Sequence, residues 1–581
     1  MSRRDWIVLI LLLSLCSVWS LSPFVSDWLP AGNDSVWVVG HVAQMELALS
    51  EGQIPPRVAP LAVDGWRYPA FQFYSPLPYT LFGLVAHAIP GHNPWIAVQI
   101  ILFIALLGGG IGMFLLAREI GSSLPAAAIA SCAYITAPYW LVNMHARAAM
   151  AEAFAQGILP VAAYFLWRAT RVPSLARIAK AAIALAILFL SHLITGTYFL
   201  IAFSITLAVE SIFAHRPWKR LAVVPLAAIG AALLAAYYFL PMLHTKELLM
   251  SGKIGDPAGW SFLTTFFRLL SPTSLAPSLD GAGSEPNMNP AIGIPILAGI
   301  LLLVIRLIQS PEEEVRTIRP VAVGLLAVIP LFFLFAWSPV DVWSWVPSVF
   351  YVVQFPYRLL AQIQWMGVLC LALGLTPALR LVNPANPLPV IVGAVFCVLA
   401  SNSYITAIAK KTSVAEHVLN RELGYGGDLY TRDVKAPGTD MPFIGSKLVS
   451  DTSQACHTIG STVQCTLNMG SGGVAQIPVL YYPEFLDVRV NGSSHVFGRL
   501  RARDKRGVER DLVALELGPG QSIVTADFIG SRLGNWISLL SIGLFAAAFA
   551  IPRIRRQRGP VEVSSIASSA GSRIPPRRKK I

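Results

Sequence analysis

Apolar runs of membrane-spanning length recur from one end of this chain to the other, and they leave it very few folds. A bilayer core takes about 20 apolar residues per helix, and in lipid only helices and closed barrels satisfy their own backbone polar groups. Runs of this kind fall at 7–21, 94–117, 123–142, 153–168, 178–194, 196–213, 221–243, 291–308, 320–337, 359–379, 387–406 and 533–552. That predicts about twelve crossings, with both termini on one side. Composition agrees: 13% of the 581 residues are charged, against about 25% in a soluble domain. The run at 7–21 follows Arg3 and Arg4, and the SPFVSDWLP after it lacks a small-residue cleavage site, so it reads as a retained anchor. The segment 76–89 is short and proline-flanked, and reads as re-entrant or interfacial.

Charge sorting supplies an orientation. Lys and Arg in short loops mark the cytoplasmic side. Arg3, Arg4, Arg168, Arg171, Arg177, Lys180, Arg216, Lys219, Arg220, Arg306, Arg316, Arg319 and the tail from Arg553 all fall on that side. The predicted setting is therefore the inner (plasma) membrane, with both termini cytoplasmic. The loop 24–93 and the region 410–532 are extracytoplasmic. The +13 net charge follows largely from this sorting, and the terminal RRKK reads as a solvated tail near anionic lipid.

The pattern changes between residues 410 and 532. Apolar runs shorten to strand length in GGVAQIPVLYYPEF, LDVRVNGSSHVFG, RDLVALELGPGQS and IVTADFIG, with turn residues between them. The predicted organisation is a helical membrane domain (1–409), a small β-sandwich (410–532), a final transmembrane helix (533–552) and a basic, disordered tail (553–581). Cys456 and Cys465 lie in the β region, where a disulfide would suit an oxidising compartment. Cys16, Cys132, Cys370 and Cys397 lie in apolar spans, where buried thiols are the default.

No phosphate-binding P-loop, HExxH or metal-ligand cysteine pair is present, and no cofactor or metal is assigned. The GGGIG run at 108–112 sits inside an apolar span, where small residues let helices approach. Candidate chemistry gathers at the extracytoplasmic face instead. GNDSVWVVGHVAQMELALSEGQIPPRV carries Asp34, His41 and Arg57. Val38, Val42, Met45 and Leu49 recur at helical spacing there and predict an amphipathic interfacial helix. Asp34 suits either a helix N-cap or a general base. Arg57 and Arg67 suit phosphate. Trp66, Tyr68, Phe71, Phe73 and Tyr74 suit an interfacial belt or a stacking surface. Arg147 and Glu152 flank a very short second loop, His192 lies in LSHLITG, and Gln354 and Arg358 lie in VQFPYRLLAQ. Ionisable residues this close to the membrane are costly and point to function.

Taken in order, NDSVWVVGH, EGQIPPRV, GWRYPAFQFYSPLPYTL, RAAMAEAFA, LSHLITG and QFPYRLL resemble the bacterial polytopic proteins called 6-pyruvoyl-tetrahydropterin-synthase-related membrane proteins. Those are similar in turn to the GT-C superfamily of lipid-linked glycosyltransferases. The family label says nothing of chemistry here, since no segment resembles the soluble pterin enzyme or its zinc-binding histidines. The resemblance covers about residues 5–550. It implies a GT-C-like fold and a sugar donor carried on polyprenyl phosphate, with a glycan, lipid or protein as acceptor. It also implies a base at Asp34 and a second carboxylate at Glu152, with His41, Arg57, Arg67, Arg147, His192 and Arg358 binding substrate. The loop shows Asn-Asp where a metal-bridging family member would show paired carboxylates, so no metal is entered. Two rival readings stay open: a transporter or flippase, and a non-catalytic glycan-binding assembly partner. The lack of related halves and of mid-span polar residues weighs against a transporter.

Overall fold

A computed structural model of the chain describes residues 2–22, 28–30, 34–245, 291–380, 386–408, 411–413, 448–451, 455–503 and 509–557. The fold is mainly helical, with a β region shortly before the last helix. The helices are α1 (Arg3–Leu21), α2 (Ser35–Ser50), α3 (Pro76–Ala88), α4 (Pro94–Ile120), α5 (Leu124–Ile135), α6 (Pro138–Leu141), α7 (Met150–Arg171) and α8 (Leu175–Ser191). They continue as α9 (Leu193–Phe213), α10 (Val223–Leu234), α11 (Ala236–Thr245), α12 (Ile294–Gln309), α13 (Arg319–Trp337), α14 (Leu360–Arg380), α15 (Leu388–Ile408) and α16 (Arg532–Gln557).

Among the described residues, seven helical segments can cross a membrane by length and composition: Arg3–Leu21, Pro94–Ile120, Leu124–Ala146, Met150–Arg171, Leu193–Phe213, Arg319–Trp337 and Pro356–Arg380. An eighth is the pair Trp218–Leu234 and Ala236–His244, if the 82° bend between them lies within one span. The sequence predicts about twelve. Four of the predicted runs fall on helices outside that set: Leu175–Ser191 and Ile294–Gln309, with 17 and 16 residues, and Leu388–Ile408 and Arg532–Gln557, which are counted only over 388–402 and 532–548.

Helix α4 shows how local chemistry sets the ends. Asn93 caps it by accepting from the Trp95 and Ile96 N–H groups, Pro94 opens its first turn, and Gly121 ends it at φ +113°. Along its length it packs closely on α7. A Cβ on Gly109 would come within 3.1 Å of the Gly157 Cα, and one on Gly112 within 2.6 Å of the Val161 side chain. A Cβ on Gly157 would meet the Ala105 carbonyl. The glycine run thus allows two helix backbones to approach.

The β region forms a four-stranded sheet in the order β3-β6-β10-β9 and a five-stranded sheet in the order β4-β5-β11-β7-β8. The strands are β3 (Leu448–Asp451), β4 (Cys456–Ile459), β5 (Thr462–Met469), β6 (Gly473–Leu480), β7 (Leu486–Val490), β8 (Ser493–Ser494), β9 (Gly498–Arg503), β10 (Glu509–Leu517) and β11 (Gly520–Phe528). All pairings are antiparallel except β3 with β6. Period-two burial runs through β5, where Val463, Cys465, Leu467 and Met469 point inward. Two short strands, β1 (Trp28–Pro30) and β2 (Lys411–Ser413), pair across the chain. Cys456 faces Cys465 across the β4–β5 hairpin and the two are joined by a disulfide, whereas Cys16, Cys132, Cys370 and Cys397 are free and buried. The predicted tail beyond residue 557 and the stretch 414–447 lie outside the described residues.

The segment between α2 and α3 holds the β region against the helices. The Arg67 guanidinium donates to both Glu51 oxygens, at 3.2 and 2.8 Å, and to the Gly460 carbonyl at 3.1 Å. The backbone N–H groups of Gly460 and Leu480 donate to Glu51 and Trp66. The predicted aromatic surface is packing for this junction: Tyr68 meets Tyr482 and Phe73 meets Phe485. Helix α2 departs from expectation as well. Its Val38, Val42 and Met45 are buried as predicted, but so are His41, Gln44 and Glu46. It is enclosed by protein on most sides and does not lie on a lipid surface with one face exposed.

Candidate active site

The site forms where α5 gives way to α7. Pro138 starts α6 after an extended Ala137, and a π-helical turn follows over Val142–Ala146. Such insertions re-aim side chains and are frequent at functional sites. Ala148 then turns the chain at φ +56°, and α7 begins with Glu152 in its first turn. The unpaired N–H groups of that turn favour a carboxylate.

Glu152 is buried and its oxygens are fully engaged. The Tyr139 hydroxyl donates to Oε1 at 2.6 Å, and Arg147 Nη1 donates to Oε2 at 2.9 Å. Arg358 Nε lies 3.4 Å from the same Oε2. Arg147 Nη1 also reaches Asn143, whose amide donates to Gln156 at 2.9 Å. Its guanidinium sits 5.1 Å above the Tyr357 ring. Arg358 spends Nη1 on Gln354 Oε1 and the Val353 carbonyl, at 3.1 and 3.2 Å. Nη2 of both arginines is left without a partner among the described residues. Both guanidinium groups therefore keep N–H donors for an anionic ligand, and their charges are only partly balanced by Glu152.

Asp34 joins this cluster from the loop after α1. Its backbone N–H donates to the Arg147 carbonyl at 3.1 Å, which ties the start of α2 to the second loop. Asp34 holds the N-cap position but makes no side-chain cap bond. Its φ of −105° and ψ of 8° lie outside the extended region that capping uses. Among the described residues the half-buried carboxylate has no hydrogen-bond partner. Burial raises it above its ordinary value, and the Arg147 and Arg358 charges pull it partly back. The Tyr74 hydroxyl feels the charges of Asp34, Arg358, Arg147 and Glu152. His192 faces Glu152 electrostatically, while its Nδ1 is held by Thr195 at 2.7 Å.

The structure thus brings together Asp34, Arg147, Glu152, His192 and Arg358. It gives the other predicted binding residues different surroundings. His41 is enclosed by Trp37, Phe71, Tyr74 and Tyr79, at ring separations of 4.7, 5.0, 5.8 and 4.3 Å. Desolvation there lowers the imidazole to about 3, so at neutral pH it is an uncharged packing group. Arg67 is committed to Glu51 and Gly460. Arg57 is buried among neutral partners: Gln72 at 3.0 Å, the Tyr237 carbonyl at 3.2 Å and Asn535 at 3.1 Å. Burial lowers its guanidinium to about 10, which leaves it charged at neutral pH. Neither arginine contacts the Asp34 cluster among the described residues.

Tyr139, Asn143, Tyr357 and Gln156 were not legible as site residues. Their only signal is proximity to Arg147 and Glu152 in PYWLVNMHARAAMAE and to Arg358 in QFPYRLL. At the other end of α7 lies a separate ionic cluster. Glu210 pairs with Arg171 at 3.2 Å and Arg220 at 2.8 Å, a helical rise of roughly 29 Å from Glu152.

The family model for the 6-pyruvoyl-tetrahydropterin synthase related domain, a membrane-protein family, matches residues 71–409. No protein of curated function matches the chain. Similar solved structures include the arabinofuranosyltransferase AftD from Mycobacteria, at 15% identity and a TM-score of 0.42, covering 70% of this chain and 28% of that one. An apo oligosaccharyltransferase from Archaeoglobus fulgidus matches at 14% identity and 0.40, covering 69% and 56%. The oligosaccharyltransferase AglB from Archaeoglobus fulgidus, in complex with an inhibitory peptide and a dolichol-phosphate, matches at 14% and 0.42, covering 70% and 56%. The chain thus spans 28% to 56% of the length of these structures.

Proposed function

The chain belongs to the 6-pyruvoyl-tetrahydropterin synthase related family of membrane proteins, and we propose that it is an integral membrane glycosyltransferase. In this reading a sugar passes from a polyprenyl-phosphate donor to a hydroxyl of a glycan, lipid or protein acceptor. The Asp34 cluster faces the extracytoplasmic side, in keeping with the sorting of Lys and Arg. Residues 1–409 carry the chemistry, the β region 410–532 stands over the same face, and 533–552 returns the chain to the membrane.

One observation carries the proposal. A carboxylate without a hydrogen-bond partner among the described residues, Asp34, stands beside two arginines that Glu152 fixes in place and that still have N–H donors to give. Burial makes Asp34 a better proton acceptor than an exposed carboxylate, which suits a general base. The arginines suit a phosphate leaving group. Leu359, next to Arg358, lines an apolar cavity of about 170 Å³ together with Tyr198, Ile201, Phe335, Trp343 and Phe350. That surface is fit for the first isoprene units of a lipid chain whose phosphate rests on Arg358.

The acceptor oxygen attacks the anomeric carbon and Asp34 takes its proton. The bond from that carbon to the phosphate oxygen breaks, its electron pair stays on polyprenyl phosphate, and the anomeric configuration inverts. Arg147 and Arg358 stabilise the charge that grows on the leaving phosphate. Glu152, hydrogen-bonded to Tyr139 and Arg147 and ion-paired with Arg358, orients them. The test is turnover of the reconstituted full chain on a panel of polyprenyl-phosphate sugars. Wild type should transfer, and Asp34→Asn should be ~10²–10⁴-fold slower. Undiminished transfer by Asp34→Asn would refute the assignment.

A further inference from the structure

About three turns beyond Asp34, α2 carries a second polar cluster that the proposed reaction does not use. Glu46 is buried, its side chain 3% exposed. Two imidazoles converge on a single oxygen of it. His87, near the end of α3, places Nδ1 3.2 Å from Oε1, and His92, in the turn before α4, places Nδ1 3.3 Å from the same atom. The Ser50 hydroxyl lies 3.1 Å from that oxygen too, and 3.3 Å from His87 Nδ1. The Ser50 hydroxyl also donates to the Glu46 main-chain carbonyl at 2.9 Å, so its one proton is shared between the two oxygens. A chain reversal through Gly91 (φ +77°) and His92 (φ +51°) is what brings the second ring into place. For a histidine that backbone conformation is uncommon.

We propose that Glu46, His87 and His92 form a three-ligand site for a first-row divalent cation of the zinc type. The one oxygen and two nitrogens lie within 4.8 Å of one another. With metal–ligand bonds of ~2.0–2.2 Å, a tetrahedral ion sets its ligands about 3.3–3.5 Å apart. The oxygen-to-nitrogen separations of 3.2 and 3.3 Å already meet that spacing. Two imidazoles and one carboxylate favour zinc over magnesium or calcium, which take oxygen shells. Ser50 supplies the hydroxyl that orients the carboxylate. The His87 and His92 side chains are 54% and 44% exposed, so a fourth position opens to solvent. Bound there, the ion would pin α2 to α3 and to the entry of α4, and so fix the helix that begins at Asp34. This inference does not depend on the glycosyltransferase reading.

The experiment uses the full chain in detergent micelles, carrying no polyhistidine tag and stripped of metal by chelation. Cobalt(II) is titrated as the spectroscopic probe, and zinc(II) is then added as competitor. The expected result is one equivalent of cobalt with visible ligand-field bands, displaced by zinc, and a zinc-dependent rise in unfolding temperature. His87→Ala and His92→Ala remove exposed side chains that the fold can spare. Each should weaken cobalt binding by about 100-fold or more, since an outer-shell partner alone is worth ~10–100-fold. Absence of a saturable cobalt spectrum, or equal affinity in both histidine variants and wild type, would overturn the site.

Discussion

Replacing Glu152 by Gln removes one charge from the centre of the site while keeping its shape. With Asp34 ionised, the cluster holds two cations, Arg147 and Arg358, against two anions, Glu152 and Asp34. The Arg147 Nη1 to Glu152 Oε2 separation is 2.9 Å and the Arg358 Nε separation is 3.4 Å. Taking charge centres ~4 Å apart and an effective dielectric constant of ~20, each pair is worth about 4 kcal/mol in Coulomb energy. Desolvation offsets much of that in the intact pair, but removing one partner strands the other, at a cost of ~3–5 kcal/mol. Arg147 and Arg358 side chains are only 6% and 12% exposed, so little of the loss is recoverable from solvent. We expect Glu152→Gln to lower the unfolding free energy by ~3–5 kcal/mol, read by tryptophan fluorescence during denaturant titration in mixed micelles. Arg147→Gln with Glu152→Gln restores the charge balance and should be less destabilised than Glu152→Gln alone. A Glu152→Gln protein within ~0.5 kcal/mol of wild type, the scatter of ordinary surface changes, would refute the reasoning. So would a double variant weaker than the sum of its parts.

Four other outcomes follow from the geometry. With a raised Asp34 carboxyl, the acid limb of kcat/KM should lie above ~3.9, the usual aspartate value, and should vanish in the residual activity of Asp34→Asn. The same shift has a stability sign. A carboxyl raised in the folded state stabilises below its unfolded pKa, and that stabilisation is lost as pH rises through the folded value. Asp34→Asn should therefore unfold no more easily than wild type at neutral pH, as measured by thermal shift. Cys456→Ser opens a disulfide with a sequence separation of 9 and should weaken the β region by ~2–3 kcal/mol in the chain-entropy model. Proteolysis of the β4–β5 hairpin reports it. Gly157→Ala drives a methyl group against the Ala105 carbonyl and should cost ~1–3 kcal/mol by overpacking, seen in the same micelle titration.

What could be read from the sequence was what local spacing and charge control. Arg147 and Glu152 lie five positions apart across one turn, so their pairing was within reach. The β region announced itself through strand-length alternation and turn residues. The partners of Arg57 and Arg67 could not be read from the sequence, because a cation on a loop looks available until its partners are seen. Asn535 comes to Arg57 from 478 residues away, and Gly460 to Arg67 from 393. Helix α2 was read as amphipathic from its apolar spacing, yet the burial of His41 depends on Tyr79 of α3 and Phe71 of the loop. The ligands gathered around Glu46 come from three separate segments, beyond the reach of any spacing motif.

The Arg57 clamp implies an order of assembly. The residue is made before its Nη2 partner, which sits in α16, 478 residues further along the chain. At ~5–20 residues per second, that amide emerges roughly half a minute to a minute and a half after the arginine. Until then a charged side chain destined for burial has no complete set of acceptors, and the segment between α2 and α3 cannot lock. Helix α16 is therefore the bolt that closes the segment between α2 and α3, and damage near residue 535 should be felt first around Arg57.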